Sequence, residues 1–126
     1  MKKIVLTDAA PAAVGPYSQA VWAGDLLYCS GQLGIDPVKG AFAGPDVESQ
    51  TEQALSNVLA VLKSQGLSAA DVVKVLVFLA DMSDFGRFNG IYARVFGTEP
   101  PARSCVAVAA LPLGGLVEIE AIARGR

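Results

Sequence analysis

The chain has 126 residues, 52% of them hydrophobic and 17% charged, with a net charge of −2 and no histidine. Its length suits one domain over residues 1–126, and the missing histidine excludes His-based triads and His-containing zinc sites. The ten basic residues are scattered along an acidic chain, which speaks against nucleic-acid binding, and no uncharged run nears the ~20 residues that cross a bilayer.

Residues 3–6 predict a short edge strand, and 17–23 with 26–34 predict two strands turning at Gly24-Asp25. The N-terminal apolar stretch ends at Thr7, too short for a signal peptide, so a cytoplasmic location is expected. A Gly/Pro-rich loop, 36–45, follows. Asp46 caps a helix to about Gln65, in which Val47, Thr51, Ala54, Leu55, Val58, Leu59 and Leu62 form one buried stripe, and Gly66 ends it. Residues 72–80 form an apolar, β-branched run without alternation, expected to be a central strand buried on both faces. Ser83 is expected to cap a second helix, 84–96, with Phe85, Phe88, Tyr92, Val95 and Phe96 inward. Gly86 and Gly90 in it suggest a close contact or tolerance.

Two last strands, 101–109 and 117–123, are expected to form a hairpin. Period-two spacing puts Arg103 and Cys105 on one face and Glu118 and Glu120 on one face. Pairing the apolar sides sets Val106 opposite Ile119, which brings Cys105 to Glu120 and Ala107 to Glu118. The order β-β-β-α-β-α-β-β gives an α+β domain: a mixed sheet with both helices on one face. The uncovered face is expected to bear Arg103 and Cys105 and to be covered by another copy of the chain.

By spacing alone, Arg103 is either a bidentate clamp for a carboxylate or half of an ion pair with Glu118 or Glu120. Glu118 and Glu120 offer a general base, or are ordinary strand carboxylates. Cys105 has no histidine to activate it and reads equally as a small buried residue. Gly15-Pro16-Tyr17-Ser18, Ser30-Gly31-Gln32 and Asn89 are candidate ligand contacts, or plain turn and surface residues.

The runs Ala-Val-Gly-Pro-Tyr-Ser-Gln-Ala-Val (13–21), Ser-Gly-Gln-Leu (30–33), Asp-Met-Ser-Asp-Phe-x-x-Phe-Asn (81–89), Pro-Ala-Arg-Ser-Cys-Val (101–106) and Val-Glu-Ile-Glu-Ala-Ile-Ala (117–123) together resemble the Rid family, in its reactive intermediate deaminase A branch. The resemblance covers nearly the whole chain in order. It implies a chorismate-mutase-like fold, a homotrimer with three intersubunit clefts, and hydrolysis of 2-enamine and 2-imino acids, such as 2-aminoacrylate, to 2-oxo acids and ammonia without metal or cofactor. It also implies roles: Arg103 clamps the substrate carboxylate, Glu118 handles water, and Tyr17, Ser30, Gly31, Asn89 and Cys105 line the cleft. The chain departs from the family pattern at Ala107, Leu113 and Gly34, the last expected to bear on substrate range.

The expected function is therefore a hydrolytic deaminase of small 2-imino acids. Its rivals are a non-catalytic 2-oxo acid or carboxylate binder, an RNA-acting translation inhibitor, and a chaperone. No membrane partner is expected.

Overall fold

The computed structural model describes residues 1–126. Strand β1 (Lys3–Val5) pairs antiparallel with β2 (Ala20–Ala23), which turns through Gly24-Asp25 into β3 (Leu26–Leu33). Gly24 has φ +62°, a conformation that glycine adopts without the steric penalty of a side chain. The strand expected over 17–23 begins only at Ala20. Just before it, the buried Gln19 amide accepts from Thr7 N–H at 2.7 Å and donates to the Thr7 and Pro11 carbonyls at 3.0 and 2.8 Å. A buried amide satisfied in this way pins the 7–11 segment and leaves residues 17–19 outside the ladder. The stretch expected to be loop holds a small hairpin, β4 (Ile35–Asp36) with β5 (Ala41–Phe42).

Helix α1 (Val47–Ser64) starts where Asp46 accepts the Ser49 N–H at 2.7 Å, and Gly66 follows its end at φ +74°. Leu55, Val58 and Leu62 on its inner stripe are fully buried, worth roughly 1.5–3 kcal/mol each against exposure. Gly34, between two residues that line the cavity beside Glu118, also belongs to this packing. A Cβ there would stand 2.4 Å from the Gln50 carbonyl oxygen, inside the helix backbone. A glycine here is thus required for the approach of strand and helix.

Strand β6 (Val72–Leu79) precedes α2 (Phe85–Phe96). Ser83 does not cap α2. It lies in a 3₁₀ turn, Met82–Asp84, where its N–H is held by the Asp81 carboxylate at 2.9 Å, so the helix starts one residue later than expected. Gly86 and Gly90 are exposed with open space beside them; they are tolerated, not used for a close contact.

Strands β7 (Ala102–Ala107) and β8 (Val117–Arg124) do not form the expected hairpin. The sheet order is β1-β2-β3-β8-β6-β7, with β6 between them. The α2 crossover lays β7 parallel to β6, Val75 beside Arg103 and Val77 beside Cys105, while β8 runs antiparallel to β6 with Val77 opposite Ile119. Cys105, Val77 and Ile119 thus share a row and a face, and that face lies under the helices.

The helix side buries Val75, Val77, Leu79, Val117, Ile119 and Ala123 together with α1 and α2 in one core. On the other side lie Tyr28, Leu76, Phe78, Val106, Glu118 and Glu120, partly or fully exposed and covered by no element of the chain. β6 is therefore buried on one face only within a single chain. The uncovered face bears the two glutamates; Arg103 and Cys105 are on the opposite one, contrary to the expectation. No helix is long and apolar enough to cross a membrane.

Candidate active site

Between Cys29–Ala121 and Gln32–Ile119 the β3–β8 ladder slips, so Ser30 and Gly31 together oppose Glu120. This is a β-bulge, a device that re-aims groups at functional positions. Ser30 is fixed there: its N–H donates to the Gln19 carbonyl at 2.9 Å and its hydroxyl to the Ser18 carbonyl at 2.6 Å. The Glu118 side chain folds over Gly31, where a Cβ would meet Glu118 Cδ at 2.8 Å. Tyr17 stands at the rim, 51% exposed, its hydroxyl accepting from Val14 N–H at 3.4 Å.

Tyr17, Ser30, Gly31, Glu118 and Glu120 line one cavity of about 760 Å³, with Leu113 at its edge. Burial, and secondarily the Glu120 charge, raise the Glu118 carboxyl above its ordinary pKa. Neither glutamate forms an ion pair within the chain. A half-buried carboxylate of raised pKa over a glycine is suited to take a proton from water.

A second cluster forms where β7 meets α2. Arg103 leaves β7 on the helix side and its Nη1 donates to Asn89 Oδ1 at 2.8 Å. Its guanidinium carbon lies 4.7 Å from the Tyr92 ring centroid, 5.6 Å from that of Phe85 and 5.7 Å from that of Phe88. The ion pair expected as its alternative role, with Glu118 or Glu120, is absent; no carboxylate lies within salt-bridge range of Arg103. Cys105 is half-buried two residues along; burial raises its thiol pKa and the Arg103 charge opposes that rise. Cys29 is a core thiol pushed up to about 12 by burial.

The expected site residues thus fall into two groups: Tyr17, Ser30, Gly31 and Glu118 in one, Asn89, Arg103 and Cys105 in the other. β6 separates β8 from β7, an axis distance of about 10 Å, and the two groups leave opposite faces of the sheet. The sequence shows the aromatic surround of Arg103 only as an inward stripe, because a strand's alternation does not say which of its faces meets the helix. Gln19, which anchors the segment before Ser30, carried no signal beyond its place in the Gly-Pro-Tyr-Ser-Gln run. No three Cys, Asp or Glu side chains cluster in a way that would hold a metal ion.

Residues 7–125 match the family described as endoribonuclease L-PSP. The chain is 49% identical over 98% of its length to the 2-iminobutanoate/2-iminopropanoate deaminase of Bos taurus, covering 90% of that protein. It is 50% identical over 97% of its length to the chloroplastic Reactive Intermediate Deaminase A of Arabidopsis thaliana, covering 65% of that protein. Among solved structures, E. coli TdcF with bound serine superposes with a TM-score of 0.92 at 41% identity, over 98% of this chain and 99% of that one.

Proposed function

This chain belongs to the endoribonuclease L-PSP family, and on that premise we propose that it is an imine/enamine deaminase, hydrolysing small 2-imino acids to 2-oxo acids and ammonia. Relatives at about half identity named as deaminases of these compounds support the reading. The observation in the structure that carries it is Arg103, a cation oriented by Asn89 and paired with no carboxylate of the chain. Its planar fork suits the carboxylate that every 2-imino acid presents.

The imine carbon is bonded directly to that carboxylate, so clamp and water-handling group must lie within a few ångströms of one molecule. Arg103 and Glu118 of one chain do not, being on opposite faces with a strand between. The complete site therefore combines Arg103, Asn89 and Cys105 of one copy with Tyr17, Ser30, Gly31 and Glu118 of another. β7 is an edge strand and the glutamate-bearing face is uncovered, which leaves both halves open to a neighbour. A closed homotrimer, as the family resemblance implies, completes three such clefts without exposing an unpaired half.

In the cleft Arg103 fixes the carboxylate beside the electrophilic carbon of the imine, whose nitrogen carries the proton. Water adds to that carbon while Glu118 accepts its proton. The proton passes to nitrogen, ammonia leaves as the carbonyl forms, and the hydroxyl proton returns to Glu118. An enamine enters after taking a proton at its β-carbon. The whole chain, residues 1–126, acts as one Rid-type unit, in the cytoplasm, on a small carboxylate substrate.

The test generates imines from several amino acids with an amino-acid oxidase and measures 2-oxo acid release with and without the protein. Acceleration supports the deaminase. Binding of 2-oxo acids without turnover leaves the carboxylate-binding module instead.

A further inference from the structure

Helix α2 carries Phe85, Phe88, Asn89 and Tyr92 at positions i, i+3, i+4 and i+7, one continuous face. The Arg103 guanidinium lies against that face, nearest Tyr92 at 4.7 Å and within 6 Å of both phenylalanine rings. Tyr92 is only 6% exposed; its hydroxyl makes no hydrogen bond of good geometry, yet it lies near enough to Arg103 for that cation to oppose the rise that burial gives its pKa. Both the ring face and the hydroxyl thus lie beside the cation, and the ring is the part that a fluorine series can alter by itself. Phe88 and Phe96 in turn hold Tyr92, with centroids 5.3 and 5.0 Å away and rings tilted by 39° and 40°.

We propose that Tyr92 is a positioning residue for the deaminase reaction: its ring face, with Phe85 and Phe88, holds the Arg103 guanidinium so that its remaining N–H groups present a fixed fork to the substrate carboxylate. Asn89 engages one nitrogen and sets the rotation about the guanidinium axis, while the rings fix its depth and exclude water. Arginine side chains otherwise lose considerable rotamer entropy on binding. A cation held against aromatic faces has lost it beforehand. The proposal rests on the reading of Arg103 as the carboxylate clamp and assigns how that clamp is made rigid.

The test replaces Tyr92 by phenylalanine and then by 4-fluoro-, 3,5-difluoro- and 3,4,5-trifluorophenylalanine. Shape and burial change little along the series, whereas the negative potential of the ring face falls with each fluorine. Dissociation constants for 2-oxobutanoate are read by calorimetry beside kcat and KM for imine hydrolysis. The expected result is a graded weakening of binding, roughly 3- to 30-fold in total, with flat melting temperatures, and Tyr92→Leu losing affinity that Tyr92→Phe largely restores. A structural role for the ring would move melting and leave the fluorine series flat. A flat series in a protein that binds and turns over normally overturns the proposal and leaves the clamp standing. If Arg103→Lys binds 2-oxobutanoate as tightly as the unaltered protein, the clamp itself is wrong and the positioning role falls with it.

Discussion

Glu118 occupies the space that a side chain at position 31 would need: a Cβ on Gly31 would stand 2.8 Å from Glu118 Cδ and 2.9 Å from its Oε1. The bulge in β3 and the glycine within it together define where the carboxylate rests. Gly31→Ala is therefore expected to push the carboxylate aside. Because the group displaced is the end of a flexible side chain, melting should change little, while kcat for imine hydrolysis falls at least ~10-fold, the order a modest loss of positioning produces. Normal kcat in this variant would show that the placement of Glu118 over Gly31 is not used.

Burial, then the neighbouring Glu120 charge, raise the Glu118 carboxyl above its ordinary 4.5. In the proposed role of base Glu118 must be ionised, so activity should fall as pH drops through this raised value, and the acid limb of kcat/KM should lie above pH 4.5. Glu120→Gln removes the repulsion and should move that limb to lower pH. Linkage has the matching sign. The folded state holds this proton more tightly than the unfolded state, so ionising Glu118 lowers stability as pH rises from the unfolded value through the folded one. Glu118→Gln should accordingly abolish most turnover without lowering the melting temperature at neutral pH, read by thermal unfolding beside the coupled assay.

Arg103→Lys retains the charge but loses the planar fork. Arg103 makes no ion pair in the chain whose loss would weaken the fold. Melting and assembly should be nearly unchanged and hydrolysis down at least ~100-fold, the scale of a lost positioning contact, with 2-oxo acid binding weakened in parallel by calorimetry.

The two half-sites on one chain predict complementation. Glu118→Gln and Arg103→Lys proteins, each nearly inactive, should regain activity after joint unfolding and refolding. In the proposed trimer, a mixed assembly would contain one cleft with Glu118 from one variant and Arg103 from the other. Sedimentation equilibrium should give three times the 13.0 kDa chain mass. Mixed assemblies without activity would place the whole site in one chain.

The elements that local chemistry controls were legible in the chain. Asp46 and Gly66 bounded α1, Gly24-Asp25 marked the β2–β3 turn, and helical periodicity gave the inner stripes of both helices, because caps, turns and amphipathic faces depend on residues close in the chain. Alternation correctly put Glu118 and Glu120 on one face, and ordered motifs pointed to the family that residues 7–125 match. Long-range packing set the rest: β6 separates β7 from β8, Arg103 points under α2 into Phe85, Phe88 and Tyr92, and Glu118 lies on the other side above Gly31. The physical reason is that a strand's period of two separates its faces without saying which face is buried or which strand lies alongside. On β7 both faces mix apolar and polar groups. The choice fell to the crossover through α2, whose aromatic face accepts an arginine stem that a hydropathy pattern alone sends to solvent.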